Sequence, residues 1–195
     1  MEGRTLVVAT RNEHKLRELG EVLTDFELEP LPADVELPRE DGDTFADNAL
    51  IKARAAHAAT GQAAIADDSG IEARALAGAP GVRSARFAGP GASDEENLKL
   101  LLRKLDGAED RSVAYVCALA HVDGERRERV VEGRCEGTFA SEPRGSGGFG
   151  YDPAFVPDDT GPDDPRTMAE LSAEEKHAIS HRGRAARVLA ELLAR

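Results

Sequence analysis

A decapeptide that is apolar on both faces constrains this chain most. Val113 to Val122 opens with eight uninterrupted apolar residues, Val113 to Ala120. Without polar alternation such a run reads as a strand covered on both sides, so it belongs at the centre of a sheet. It also falls far short of the roughly 20 residues that span a bilayer as a helix. Thr5 to Ala9 is a second, shorter run of this kind. Thr10 to Asn12 can then cap a helix on which Leu16, Leu19 and Leu23 share a face. Strand, polar turn and helix in immediate succession are an α/β opening.

The remaining segments extend this pattern. Phe26 to Leu31 alternates like an edge strand, where Pro30 is tolerated. Thr44 to Asp47 opens an Ala-rich helix that Gly61 closes. Ala63 to Ala66 predicts a short strand that delivers Asp67-Asp68-Ser69-Gly70 at its C-terminal end. Ser93 to Glu96 is a capping box ahead of Leu98, Leu101, Leu102 and Leu105, with Gly107 as the stop. Asp123-Gly124 predicts a two-residue hairpin turn, with Arg126 to Cys135 as the returning strand. That register sets Cys117 opposite Val130 and leaves two buried, neutral thiols. Asp158 to Pro165 reads as a mobile acidic loop. Thr167 to Leu171 and Ser172 to Arg195 read as helical, with a break near Ser180. The whole chain, 1–195, is expected to form one α/β domain with a mixed sheet.

Charge narrows the function. The net charge of −12 disfavours nucleic acid and anionic membrane as partners. Two cysteines without CxxC spacing suggest no disulfide framework. The opening run is too short for a signal-peptide core, so a soluble cytoplasmic protein is expected. Of the 25 basic residues only five are Lys, so a lysine inside a motif carries more information than an arginine.

Four motifs carry chemistry. Thr10, Arg11, Asn12, Glu13, His14 and Lys15 lie between strand and helix, where backbone N–H groups and the helix dipole suit phosphate; a plain helix cap would use the same residues. Asp67 and Asp68 leave an apolar strand, a costly arrangement unless they hold a cation or activate water, although an Asx-turn also fits. Mg²⁺ needs only one or two such carboxylates beside substrate phosphates. Ser146 to Pro153 is Gly-rich, with Phe149 and Tyr151 able to stack on a base and Asp152 able to accept hydrogen bonds. Glu175 to Gly183 offers Lys176, His181 and Arg182 as donors, and an exposed basic helix is the plainer alternative. Together they are the parts of a Mg²⁺–nucleoside triphosphate site.

The segments VVATRNEHKLREL (7–19), DGDTFADNALIKA (41–53), AIADDSGIEARALAGAPGVRSARFAG (64–89), GFGYDPAF (148–155) and AELSAEEKHAISHRG (169–183) resemble the Ham1-like non-canonical purine nucleoside triphosphate pyrophosphatases. The resemblance spans almost the whole chain. It implies an elongated mixed β-sheet flanked by helices, with two lobes around a central nucleotide cleft, in a homodimer. It also implies Mg²⁺-dependent hydrolysis of ITP, dITP and XTP to the monophosphate and pyrophosphate. By motif, Thr10 to Lys15 and Lys52 would meet the triphosphate. Asp68 would activate water and touch the metal, and Ser69 would contact substrate. Phe149, Gly150, Tyr151, Asp152, Lys176, His181 and Arg182 would contact base and phosphates. The family often has Thr-Gly-Asn-x-Gly-Lys where this chain has Arg11 and His14, and its second metal ligand is assigned here to Glu40. A related pyrophosphatase acting on modified pyrimidine nucleotides is the rival enzyme, and a non-catalytic nucleotide-binding module the rival from another class.

Overall fold

A computed structural model describes residues 4–124 and 127–194. Six strands form one mixed sheet in the order β2-β1-β3-β4-β5-β6. These are β1 (Arg4–Val8), β2 (Phe26–Pro30), β3 (Ala64–Ala73), β4 (Ser112–Val122), β5 (Glu128–Phe139) and β6 (Phe155–Pro157). β1 runs parallel to β2 and β3, whereas β5 and β6 are antiparallel. Among the described residues, five α-helices accompany them: α1 (Glu13–Val22), α2 (Phe45–Thr60), α3 (Asp94–Lys104), α4 (Ala173–Ile179) and α5 (His181–Leu193).

Local chemistry sets most helix ends. The Asn12 side chain accepts from the backbone N–H groups of His14 and Lys15, and Thr44 accepts from Asp47. Ser93 and Ser172 each form a reciprocal capping box with the glutamate three residues on. Gly61 closes α2 at φ +70°, where a side chain would be strained. The edge position of β2 and the fully covered β4 match the alternation and the apolar run that define them.

Residues group into two compact units, each with its own core. The first comprises residues 1–68, 117–133 and 181–195, and the second 69–116 and 134–180. In the first, Leu19 and Leu23 pack with Val8 and Ile65 and with Ala185 and Leu189 of α5. In the second, Leu98 and Leu101 of α3 and its C-cap Leu105 pack with Phe139, Tyr151, Phe155 and Met168.

Three expectations are corrected. β3 does not stop at Ala66 but runs on through Gly70 to Ala73, so Asp67 and Asp68 are extended strand residues and no Asx-turn forms. The β4–β5 pair is not closed by a two-residue turn. Asp123 N–H donates to Arg127 O at 3.3 Å and Phe139 N–H to Arg111 O at 2.9 Å, one register that sets Cys117 opposite Gly133. Val130 is instead exposed, at 39%. Arg126 of the expected return strand lies outside the described residues. Neither cysteine is in a disulfide, both are buried, and burial pushes the Cys117 thiol up to about 12. Finally, the 158–165 loop opens with a 3-10 turn, Asp158–Thr160, with the Thr160 hydroxyl bonded to Pro157 O and Asp164 O.

Candidate active site

β1 ends at Val8, whose last partner on β3 is Ile65. Beyond that point β3 continues past the carboxyl end of its parallel neighbour, where α/β sheets gather ligands. Asp67 and Asp68 occupy this stretch, and consecutive strand residues face opposite sides.

Asp67 lies in a buried ion network. Lys15 Nζ approaches its Oδ2 at 3.0 Å, and Arg182 Nε and Nη2 approach the same oxygen at 3.2 Å. Arg182 Nη1 also bonds Glu18 Oε2. Burial works against the Asp67 charge, but Lys15, Arg182 and Lys52 outweigh it and hold this carboxyl far below the usual range. Arg182 is 2% exposed and committed to two carboxylates. In the structure it forms an internal clamp between Asp67 and Glu18.

Asp68 meets a different set. Asn48 Nδ2 donates to its Oδ2 at 3.0 Å, and Lys52 Nζ stands 3.9 Å from its Oδ1. Burial raises its pKa against the pull of Lys52, and Glu40 raises it further. Lys52 Nζ itself bonds Glu40 Oε1 at 2.6 Å and Asp67 O at 2.7 Å. Burial opposes the Lys52 charge, but Asp67, Glu40 and Asp68 together raise its pKa. Glu40 and Asp68 thus already gather around one positive charge, and two hard carboxylate donors suit Mg²⁺. Among the described residues no group of three or more His, Cys, Asp or Glu is placed to hold a metal. A cation here would depend on oxygens from substrate and water as well.

The α1 N-terminus departs from expectation. The His14 and Lys15 N–H groups are taken by Asn12 Oδ1 at 2.9 and 3.3 Å, and Asn12 N–H by Thr10 Oγ1 at 3.1 Å. Glu13 and His14 are exposed, with His14 Nδ1 3.1 Å from Arg17 Nη2. The Arg11 side chain turns to the segment after β2. Its guanidinium donates to the carbonyls of Leu31, Pro32, Ala33 and Val35. Four neutral acceptors match its planar fork better than an exposed turn does.

The second unit holds another cluster. Asp152 accepts from Tyr115 Oη at 3.0 Å, Lys176 Nζ at 2.8 Å and Phe149 N–H at 2.9 Å. Lys176 Nζ lies 5.1 Å from the Phe149 ring centroid, a cation–π contact that leaves Phe149 half-buried. Gly150 N–H donates to Asp94 Oδ2 at 2.9 Å, and Ser69 lies half-buried in β3. Tyr151 sits in the core of the second unit. It is 6% exposed, and its hydroxyl donates to Ser84 O at 2.7 Å. The break at Ser180 exists, at φ −63° and ψ 149°. Lys176 and Arg182 on either side of it serve different carboxylates, and His181 is buried at the start of α5.

Sequence reasoning missed Asn48, Glu18 and Tyr115. Asn48 had a signal: it stands four residues before Lys52, on the same helical face, among small apolar residues.

The Ham1 family profile matches residues 6–192. The chain belongs to the Ham1 family. A dITP/XTP pyrophosphatase of Frankia alni is 51% identical over 199 residues, covering 96% of this Ham1 protein and 96% of its own length. One from Exiguobacterium sp. is 47% identical over 188 residues, covering 94% of each. The structure of a HAM1 protein from Coxiella burnetii matches with a TM-score of 0.86 at 42% identity, covering 97% of this chain and 98% of that one.

Proposed function

We propose that this Ham1 protein hydrolyses ITP, dITP and XTP to the nucleoside monophosphate and pyrophosphate, with Mg²⁺. It would act as a single-domain cytoplasmic homodimer that removes these nucleotides before they enter DNA or RNA. The observation that carries the proposal is Asp68, a buried carboxylate with a raised pKa, oriented by Asn48 and facing Lys52. The names of the two pyrophosphatase relatives support the substrate class. The net charge of −12 supports a small ligand over nucleic acid.

In this mechanism Asp68 takes a proton from a water that attacks the α-phosphorus. The bond from that phosphorus to the bridging oxygen breaks, and pyrophosphate leaves. A raised pKa makes Asp68 a stronger base than an ordinary aspartate. Lys52 exchanges Glu40 for a phosphate oxygen, and Lys15 offsets charge nearby, so both stabilise the leaving group by position and charge. Mg²⁺ bound by Asp68 and Glu40 would add charge neutralisation on the phosphates. Thr10 and Asn12 shape the turn, and Ser69 contacts substrate. Phe149 offers a stacking face, while Lys176 and His181 donate to the base, with Asp152 fixing Lys176. Donors aimed at a 6-keto oxygen lose their partner against adenine, a discrimination of up to ~10⁴.

The test is product analysis with ITP, XTP, ATP, GTP and dTTP, each with Mg²⁺ and with EDTA. Mg²⁺-dependent pyrophosphate from ITP and XTP, with little from ATP or GTP, is expected. Phosphate in place of pyrophosphate, or a preference for dTTP, would overturn the proposal.

A further inference from the structure

Asn48, fully buried in α2, uses both ends of its side-chain amide. Nδ2 donates to Asp68 Oδ2 at 3.0 Å, and Oδ1 accepts the backbone N–H of Gly42 at 2.8 Å. Gly42 lies two residues ahead of Thr44, the N-cap of α2, so its N–H reaches over the first turn of the helix. The glycine is closely fitted there. An added Cβ would come 2.6 Å from Asp47 Cβ, 2.8 Å from Asn48 Oδ1 and 3.1 Å from Asn48 N. The first and last of these atoms belong to the helix frame and cannot swing aside. A side chain at position 42 would therefore push its own backbone away from Asn48.

We infer that Gly42 is a positioning residue that acts on Asp68 through Asn48: its N–H fixes which way round the amide sits, and its missing side chain makes that approach possible. The inference rests on the role proposed for Asp68. A half-turn of an amide exchanges its donor and acceptor ends. Asp68 alone cannot choose between them, because a carboxyl group accepts or donates according to its proton. A backbone N–H only donates. Turned round, the amide would set Nδ2 against the Gly42 N–H, two buried donors without an acceptor between them. The Gly42 bond thus keeps a donor on Asp68 Oδ2 and holds the carboxylate in one orientation.

The test is a double-mutant cycle on the full chain with Gly42→Ala, Asn48→Ala and the two together. It reads kcat and KM for pyrophosphate release from ITP at saturating Mg²⁺, on the pH plateau of each variant, with thermal melting as the check on folding. Gly42→Ala should lower kcat about tenfold with KM nearly unchanged, the split expected when an interaction matters at the reaction and not in binding. The double variant should match Asn48→Ala, because the glycine then has nothing to act through. An unchanged kcat in Gly42→Ala overturns the inference, and so does a double variant slowed by the product of the two single losses. Amide hydrogen exchange at Gly42, followed by NMR, needs no turnover. It should be faster in Asn48→Ala than in the parent protein, and unaltered exchange overturns the inference even if Gly42→Ala does not fold. Asp68→Asn tells two failures apart. If it leaves kcat unchanged, the role of Asp68 fails and the inference with it; if it lowers kcat while Gly42→Ala does not, only the role given to Gly42 fails.

Discussion

Asp67 and Asp68 are consecutive residues of β3, and their carboxylates answer to separate partners on opposite faces of the strand. Asp67 closes a network with Lys15 and Arg182, whereas Asp68 is held by Asn48 beside Lys52. Strand alternation turns the two carboxylates to different surroundings.

On the proposed mechanism, Asp68 should control the acid limb of activity. Because burial raises the Asp68 pKa, kcat/KM should climb with pH through a midpoint above the ~3.9 of an ordinary aspartate. Asn48 donates to the charged form, so Asn48→Ala should move that limb to higher pH. Asp68→Asn should lower kcat by about 10² or more with a smaller change in KM. A pH–rate profile that Asn48→Ala leaves in place would count against this assignment.

The structural carboxylate should control folding instead. Asp67→Asn removes the anion shared by the buried Arg182 and the half-buried Lys15 and should cost about 3 kcal/mol in urea unfolding. Its folded pKa lies below the unfolded value, so its contribution is complete above about pH 4 and falls away as acid protonates it. The difference in stability between the parent and Asp67→Asn should therefore shrink on acidification below that point. A gap that stays constant from pH 6 to the acid range would contradict it.

Asp152 should behave as the anchor of the Phe149–Lys176 pair. Tyr115→Phe removes one of its three donors and should cost about 1 kcal/mol, whereas Asp152→Asn should cost about 3 kcal/mol, because the buried Lys176 ammonium then lacks its anion. Denaturant midpoints check both, and equal effects would mean that Lys176 does not depend on Asp152.

Gly133 lies where β5 meets the start of α5. An added Cβ would overlap the His181 carbonyl oxygen and come within 2.6 Å of Ala185 N, both backbone atoms that cannot swing aside. Gly133→Ala should cost about 2 kcal/mol and disturb α5, where His181 and Arg182 begin. An unchanged melting temperature would show that α5 shifts freely.

What the sequence made legible was local. Asn12, Thr44, Ser93, Ser172 and Gly61 mark their helix ends by chemistry confined to a few neighbours, and β4 announces its burial on both sides. The continuation of β3 through Asp67 and Asp68 was hidden because aspartate is a poor strand residue, and the partner that makes it tolerable, Arg182, is 115 residues away. The contacts of Arg11 were hidden for a similar reason. Its acceptors are backbone carbonyls 20–24 residues on, which leave no trace in side-chain patterns. The Asp-Gly pair suggested a tight hairpin, but the register of the two long strands overrode it. Motif order pointed to the family, and pairing decided which motif residues are free to act.

The Arg182 clamp has a consequence for the order in which the chain is made. Glu18 emerges from the ribosome early, and its guanidinium partner follows 164 residues later. Until then the first unit lacks α5, which supplies Ala185, Ala186 and Leu189 to its core. Its N-terminal segments therefore cannot reach their final packing during most of synthesis. Nascent chains stalled before residue 182 should remain open to proteases across 1–68, and protection should arrive late and all at once.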